Sequence, residues 1–304
     1  MTPQTPPNLN EGQSTAVSHG VPRPLPIHEL RDPETSEVLG FLAERPLHTV
    51  TMSGFIRDNG IESPFNRGTF YGYRSVDGRL EGVALIGHAT FLESRCDDAL
   101  AGFARVAQGV GSAHMIMGEQ NTVERFWEHY SSVGQEQRRC SREVLFAQTA
   151  PVTAFLPVPE LRAAALHDLS LIVPVHAAMA FAESGVNPLD VDSEGFSRRC
   201  ARRIRQDRIW VWIADGKLIF KADVVSDTPE ATYIEGIYVA PSERGRGYGS
   251  RCLAEVSRTL LQRTKAVLLL VNDENLAAHR FFEKVGFRRQ SLYETIFLAK
   301  KRDN

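Results

Sequence analysis

The chain has 304 residues, 42 % hydrophobic and 24 % charged, with a formal net charge of -2 and a pI near 6.5. At roughly 150 residues per domain this is enough for two domains, each able to bury a core without disulfide or metal support. Near-neutral charge removes any bulk attraction to nucleic acid or an anionic membrane. No run approaches the roughly 18 apolar residues of a membrane span, since residues 171–182 carry Pro174 and His176. Cys96, Cys140, Cys200 and Cys252 lack the close spacing of zinc or redox sites and read as reduced thiols of a cytoplasmic protein with no metal.

Residues 1–27 hold Pro3, Pro6, Pro7, Pro22, Pro24 and Pro26, with Glu11 and Arg23 as their only charges, and read as a disordered tail. Leu30-Arg31 then leads through Asp32-Pro33 to apolar Val38, Phe41 and Leu42, a short strand followed by a capped helix. Alternating runs at 70–74 and 80–85 flank Asp77-Gly78, predicting a hairpin with a type I′ turn. A helix over 97–107, a strand over 114–117, a second helix from near Asn121 and a closing strand over 144–147 complete this series. Pro151, Pro157 and Pro159 mark a linker.

The same order then recurs. Leu161-Arg162 leads to Asp168, Leu169, Ile172 and Val173; runs at 210–214 and 218–224 flank Asp215-Gly216; a helix over 249–261, a strand over 266–271, another helix and a closing strand over 292–298 follow. The repeat predicts two tandem α/β folds, 28–150 and 151–304, each with a mixed sheet that combines an antiparallel meander with a parallel crossover.

In the second half the β-branched run 234–241 empties into Arg244-Gly245-Arg246-Gly247-Tyr248-Gly249-Ser250 just before a helix with Leu253, Val256 and Leu260 on one face. Glycines where a strand turns into a helix allow positive φ, and the unpaired amides and positive dipole end there suit a pyrophosphate. Such loops are also common simply as turns. Ser250 in place of a third glycine excludes a Rossmann fingerprint, and the ending is not that of a P-loop. Downstream, Asn275 opens a helix with Ala278, Phe281, Phe282 and Val285 inward and Gly286 placed to end it.

These two segments resemble the GNAT acetyltransferase superfamily. Its Arg/Gln-x-x-Gly-x-Gly loop is matched by Arg244, Gly247 and Gly249, and its Asn-x-x-Ala motif ending in Gly-Phe by Asn275, Ala278, Gly286 and Phe287. The double length is similar to tandem members such as mycothiol synthases. The resemblance implies acetyl-CoA as co-substrate and a primary amine, on a small molecule or a protein, as acceptor. It places the pyrophosphate on the amides of residues 245–250, the pantetheine along Ile237, Tyr238 and Val239, and Asn275 on the pantetheine arm. A backbone N–H at Tyr238 or Val239 would serve as oxyanion donor. The family's tyrosine acid falls at Phe282, so either the thiolate leaves unaided, Tyr248 or Tyr293 substitutes, or the chain is a non-enzymatic acyl-CoA sensor.

Glu235 is the expected base, on the same strand face as Ile237 and Val239, against a structural role as partner of Lys217, Lys221 or a nearby arginine. Arg198, Arg199, Arg202, Arg203, Arg205 and Arg208 read as the solvated face of a helix packed through Phe196, Cys200 and Ile204, so nucleic acid is not an expected partner. His176 reads as a core histidine, His279 as exposed, Glu183 as a helix-terminal surface acid beside the acceptor, and Trp210 and Trp212 as packing. The first half has Glu93, Asp97 and Asp98 and no glycine where the phosphate loop should recur, so one acetyl-CoA per chain is expected.

Overall fold

The computed structural model describes residues 27–299, so the proline-rich segment lies outside the described residues except for Ile27. The first half runs β1 (Ile27–Glu29), α1 (Thr35–Leu42), α2 (Pro46–Asn59), β2 (Gly68–Arg74), β3 (Leu80–Gly87), β4 (Ala89–Ser94), α3 (Asp97–Gln108), β5 (Met115–Glu119), α4 (Gln120–Tyr130) and β6 (Gln137–Gln148). The second repeats that order: β7 (Arg162–Ala163), α5 (Leu169–Ser184), α6 (Pro188–Arg205), β8 (Ile209–Ala214), β9 (Lys217–Asp227), β10 (Thr232–Val239), α7 (Tyr248–Leu260), β11 (Val267–Asn272), α8 (Leu276–Lys284) and β12 (Arg288–Leu298).

Local chemistry accounts for most boundaries. Asp215 (φ 49°) and Gly216 (φ 68°) form the expected I′ turn. At the first hairpin only Gly78 (φ 83°) is left-handed, and Ser75 closes a wider loop by donating its N–H to Arg79 O at 2.9 Å. The expected I′ turn is therefore replaced there by a bulged one. Helix α8 starts where Asn275 Oδ1 accepts from Ala278 N–H at 3.0 Å, and the chain leaves it through Gly286 at φ 100°.

All twelve strands belong to one sheet, in the order β1-β2-β3-β4-β5-β12-β6-β11-β10-β9-β8-β7. The repeat suggests that each half closes its own sheet, but the closing strands are exchanged. Strand β6 pairs with β11 from Glu143↔Asn272 to Gln148↔Val267, and β12 pairs with β5 from Tyr293↔Glu119 to Phe297↔Met115. The two also pair with each other from Arg288↔Ala147 to Leu298↔Gln137. This antiparallel ribbon leaves no open edge between the halves. Because each half lacks its own last strand, heating should give a single transition with equal calorimetric and van't Hoff enthalpies. Two resolved transitions would show that the halves are independent.

Alternation along the strands sorts the core into two layers. Val144 and Phe146 pack with Leu253, Val256 and Phe282 under α7 and α8, while Ile296 joins Phe103 and Phe126 under α3 and α4. The opposite face carries α1, α2, α5 and α6. Helix α2, which no apolar stripe announces, is wedged between halves: Met52 and Ile56 pack on the first, and Val50 joins Leu145, Leu268 and Tyr293. A Cβ on Gly54 would lie 2.7 Å from Ser226 Cβ, so glycine is what permits this approach.

Candidate active site

Strands β10 and β11 pair only at Thr232↔Val267 and Tyr233↔Leu268, and beyond Tyr233 they splay apart. The register of β10 on β9 breaks between Glu235↔Asp223 and Tyr238↔Lys221, around Gly236 at φ 62°. Ala240 donates its N–H to Ile219 O at 2.9 Å. Antiparallel alternation then turns Tyr238 N–H toward β9 as well and leaves Val239 N–H facing the splay.

The splay opens on the loop before α7. Gly245 and Gly247 both have φ 78°, and a Cβ on either would meet no atom within 4 Å, so the outer side of the loop is open. Gly247 is the N-cap of α7, no side chain caps that helix, and its first turn holds no acid. The first-turn amides and the dipole therefore remain available to an anion. Gly249 matters for packing instead, because a Cβ there would sit 3.0 Å from Val239 Cγ2, and its absence lets α7 lie against β10. Arg244 Nε donates to Val239 O at 3.2 Å, Arg246 pairs with Glu243 at 2.5 Å, and the Tyr248 ring meets Trp212 edge-on at 4.8 Å. Ser250 is buried at the start of α7.

The opposite side of the splay is acidic. Glu235 projects toward α5 and α6, where its Oε1 accepts from Arg203 Nη1 at 3.1 Å. Glu143 on β6 accepts from Thr295 Oγ1 at 2.8 Å, and burial together with Asp273 and Glu235 raises its pKa despite that bond. Glu183, in the last turn of α5, is open to water in the cleft but hemmed by protein. This desolvation, with repulsion from Glu235 and Glu143, pushes its carboxyl up to about 7. Among the described residues no side-chain donor contacts the Glu183 carboxylate. Tyr233, between the same carboxylates, is held well above the ordinary phenol range by burial and by their charge.

Beneath them Lys221 and Asp223 form a fully buried pair at 2.5 Å. His176 Nδ1 is 3.7 Å from Asp223 Oδ2, and burial, Lys221 and Arg203 push the imidazole down to about 3, keeping it neutral. His176, Asp223 and Glu235 bring possible metal-ligand atoms within 4.8 Å of one another. Lys221 and Arg203 already supply the positive charge to those carboxylates, so the donor set fits an internal ion-pair network.

Residues 179–287 match the Acetyltransferase (GNAT) family. The sequence matches no curated protein. A Drosophila protein superposes with a TM-score of 0.66 at 14 % identity, over 91 % of this chain and 100 % of that one. A tandem GNAT protein from the clavulanic acid biosynthesis pathway gives 0.58 at 13 % identity, over 91 % and 100 %. A GCN5-related N-acetyltransferase from Sphaerobacter thermophilus gives 0.58 at 13 % identity, over 93 % and 99 %. The fold is that of the GNAT acetyltransferases.

Within this GNAT fold several sequence expectations need correction. The bulge at Gly236 resets the alternation of β10, so Ile237 and Val239 pack under α7 while Glu235 faces α5 and α6 with Tyr238. Glu235 therefore does not share a face with Ile237 and Val239, and the nearby arginine that binds it is Arg203. His279 is buried, not exposed: its ring lies 5.3 Å from that of Phe146, inclined at 60°, and the exchange brings Phe146 under α8. Tyr293 is no substitute acid, because it is buried between halves with its hydroxyl 3.0 Å from His48 Nδ1. Phe282 packs against Phe146, Phe281 and Phe287. The arginine face is only partly solvated, since Arg203 reaches Glu235 and Arg202 and Arg208 reach Asn59 and Asp58 on α2. All four cysteines are free, and no described helix is long and apolar enough to cross a membrane.

Proposed function

We propose that the chain is an acetyl-CoA-dependent N-acetyltransferase acting on a primary amine by direct attack in a ternary complex. The reading is carried by one observation: the β10–β11 splay joins the uncapped, glycine-lined start of α7 to a cleft of carboxylates. Gly245, Arg246, Gly247, Tyr248, Gly249 and Ser250 hold the pyrophosphate through their amides, with Arg244 beside them. Ile237 and Val239 border the pantetheine, and Asn275, whose Oδ1 is committed to capping α8, offers its Nδ2 to that arm. Bound acetyl-CoA supplies the thioester carbonyl. Val239 N–H, next to Tyr238, is the donor placed to stabilise the oxygen of that carbonyl. Glu235 and Glu143 draw in the ammonium form of the acceptor, and Glu183 takes its proton. With Phe282 in the core, the thiolate leaves without a tyrosine acid, as a thiol pKa near 8.5 permits.

The second half alone binds the co-substrate. Strand β4 joins α3 through Arg95 and Cys96 only, and Asp97 in the first turn of α3 is bound by Arg125 at 2.8 Å and His129 at 2.9 Å. An acid at that terminus occupies the dipole and repels phosphate. Calorimetry should find one acetyl-CoA per chain, and Gly247→Val should weaken it at least tenfold, about 1.4 kcal/mol, by straining the left-handed cap. Two sites per chain, or unchanged affinity in a folded variant, would defeat the assignment. Buried Phe282 also favours a second reading, an acyl-CoA sensor. Release of CoA to an amine acceptor separates the two, since a sensor releases none.

A further inference from the structure

A group of opposite charge lies next to the carboxylates of the cleft. Arg67, His88 and His114 stand at neighbouring strand ends, before β2, between β3 and β4, and before β5. Their backbones are bonded in series, His88 N–H to Arg67 O at 2.9 Å and His114 N–H to His88 O at 2.8 Å. The two imidazoles stack with centroids 5.2 Å apart and planes within 7°. His114 meets the Phe297 ring edge-on at 5.7 Å, and the Arg138 guanidinium lies 5.8 Å over the same ring. Arg199 approaches from α6, whose Arg202 covers the ring of Phe65 at 4.1 Å, two residues before Arg67. Asp192 binds Arg199 at 3.2 Å, but among the described residues neither Arg67 nor Arg138 has a carboxylate within ion-pair reach. Both histidines are pushed down, His88 to about 4, first by burial and then by the charge of neighbouring arginines.

Three relations tie this group to those carboxylates. Phe297 and Thr295 lie on one face of β12, two residues or about 7 Å apart, and Thr295 is the residue that donates to Glu143. Arg199 is one turn, about 6 Å, from Arg203, the partner of Glu235. Arg138 Nη1 would lie 3.4 Å from a Cβ on Gly185, the residue that ends the helix bearing Glu183.

We propose that the acceptor is a small primary amine that also carries an anionic group, a carboxylate or a phosphate, at the other end of the molecule. The anion sits on Arg67, Arg138 and Arg199, and the ammonium sits among Glu143, Glu183 and Glu235. This rests on the acetyl-transfer reading above. Guanidinium groups match both anions through paired N–H donors, whereas a diamine would bring a second cation against Arg67 and Arg138, which have no carboxylate in ion-pair reach among the described residues.

The test compares δ-aminovalerate, aminopropyl phosphate, cadaverine and pentylamine as acceptors, reading CoA release, and measures their calorimetric binding to the protein saturated with CoA. We expect kcat/KM for at least one anionic amine to exceed that for pentylamine and cadaverine tenfold or more. The better of the two anionic probes identifies the anion. Arg138→Gln and Arg67→Gln should collapse that ratio toward one, and Arg138→Lys should restore part of it. A preference for cadaverine or pentylamine, or a ratio that survives both glutamine variants, overturns the proposal. If no amine releases CoA, the transfer reading fails by itself. Anionic probes that still bind tenfold more tightly than pentylamine, and lose this in Arg138→Gln, then sustain the anion site, and equal binding of all four overturns it.

Discussion

Replacing Glu183 with glutamine should lower kcat/KM by a hundredfold or more at pH 7 and flatten the acidic limb of the pH profile, the loss expected when a positioned base is removed. The wild-type limb should have an apparent pKa close to that of Glu183, about 7. The sign follows from the role: the carboxylate is the active form, so activity is lost as pH falls through 7 and the carboxyl becomes protonated. Repulsion from Glu235 is part of what raises Glu183, so Glu235→Gln should shift the limb to lower pH while raising KM for the amine. A pH–rate series on both variants, each shown to bind acetyl-CoA, distinguishes the roles. A limb that vanishes in Glu235→Gln and persists in Glu183→Gln would return the base to Glu235.

What was legible in the sequence was chemistry confined to a few neighbouring residues. The Asp215-Gly216 turn, the Asn275 cap, the glycines before α7 and the acids in the first turn of α3 each act within one turn of chain, and each lies where the pattern puts it. The strand exchange could not be read this way. The alternations of β6 and β12 suit either neighbour, and the choice rests on pairings between residues more than a hundred positions apart. The exchange then explains other misses: it puts Phe146 beneath His279, and it places Glu143, from the first half, in a cleft assembled mainly by the second. Helix α2 leaves no signal in the sequence because its buried residues, Thr49, Val50, Met52, Gly54 and Ile56, face two halves and form no single stripe. The orientation of Glu235 had a usable sign, since a glycine inside a strand often marks a bulge, and a bulge at Gly236 moves Glu235 off the face of Ile237.

That bulge rests on the buried ion pair. A Cβ on Gly236 would fall 2.6 Å from Asp223 Oδ2 and 2.8 Å from Lys221 Nζ, so the pair fills the space directly beneath the residue where β10 leaves its register. Asp223 Oδ1 has no hydrogen-bond partner among the described residues, which makes Lys221 its principal compensation. Lys221→Met should therefore strand a buried carboxylate and cost about 3–5 kcal/mol, a large share of a typical folding free energy of roughly 5–15 kcal/mol. Urea unfolding would measure it. The double variant Lys221→Met/Asp223→Leu removes both charges and should recover most of the loss, because replacing both members of a buried pair with apolar groups is often neutral. Recovery of stability need not restore the site. Without the ammonium and carboxylate under Gly236, β10 can relax toward regular pairing and narrow its splay from β11, so acetyl-CoA affinity in the double variant should stay well below that of the parent. A double variant that is stable and binds acetyl-CoA as tightly as the parent would show that the bulge is set by β10 itself, with the ion pair merely filling the space below it.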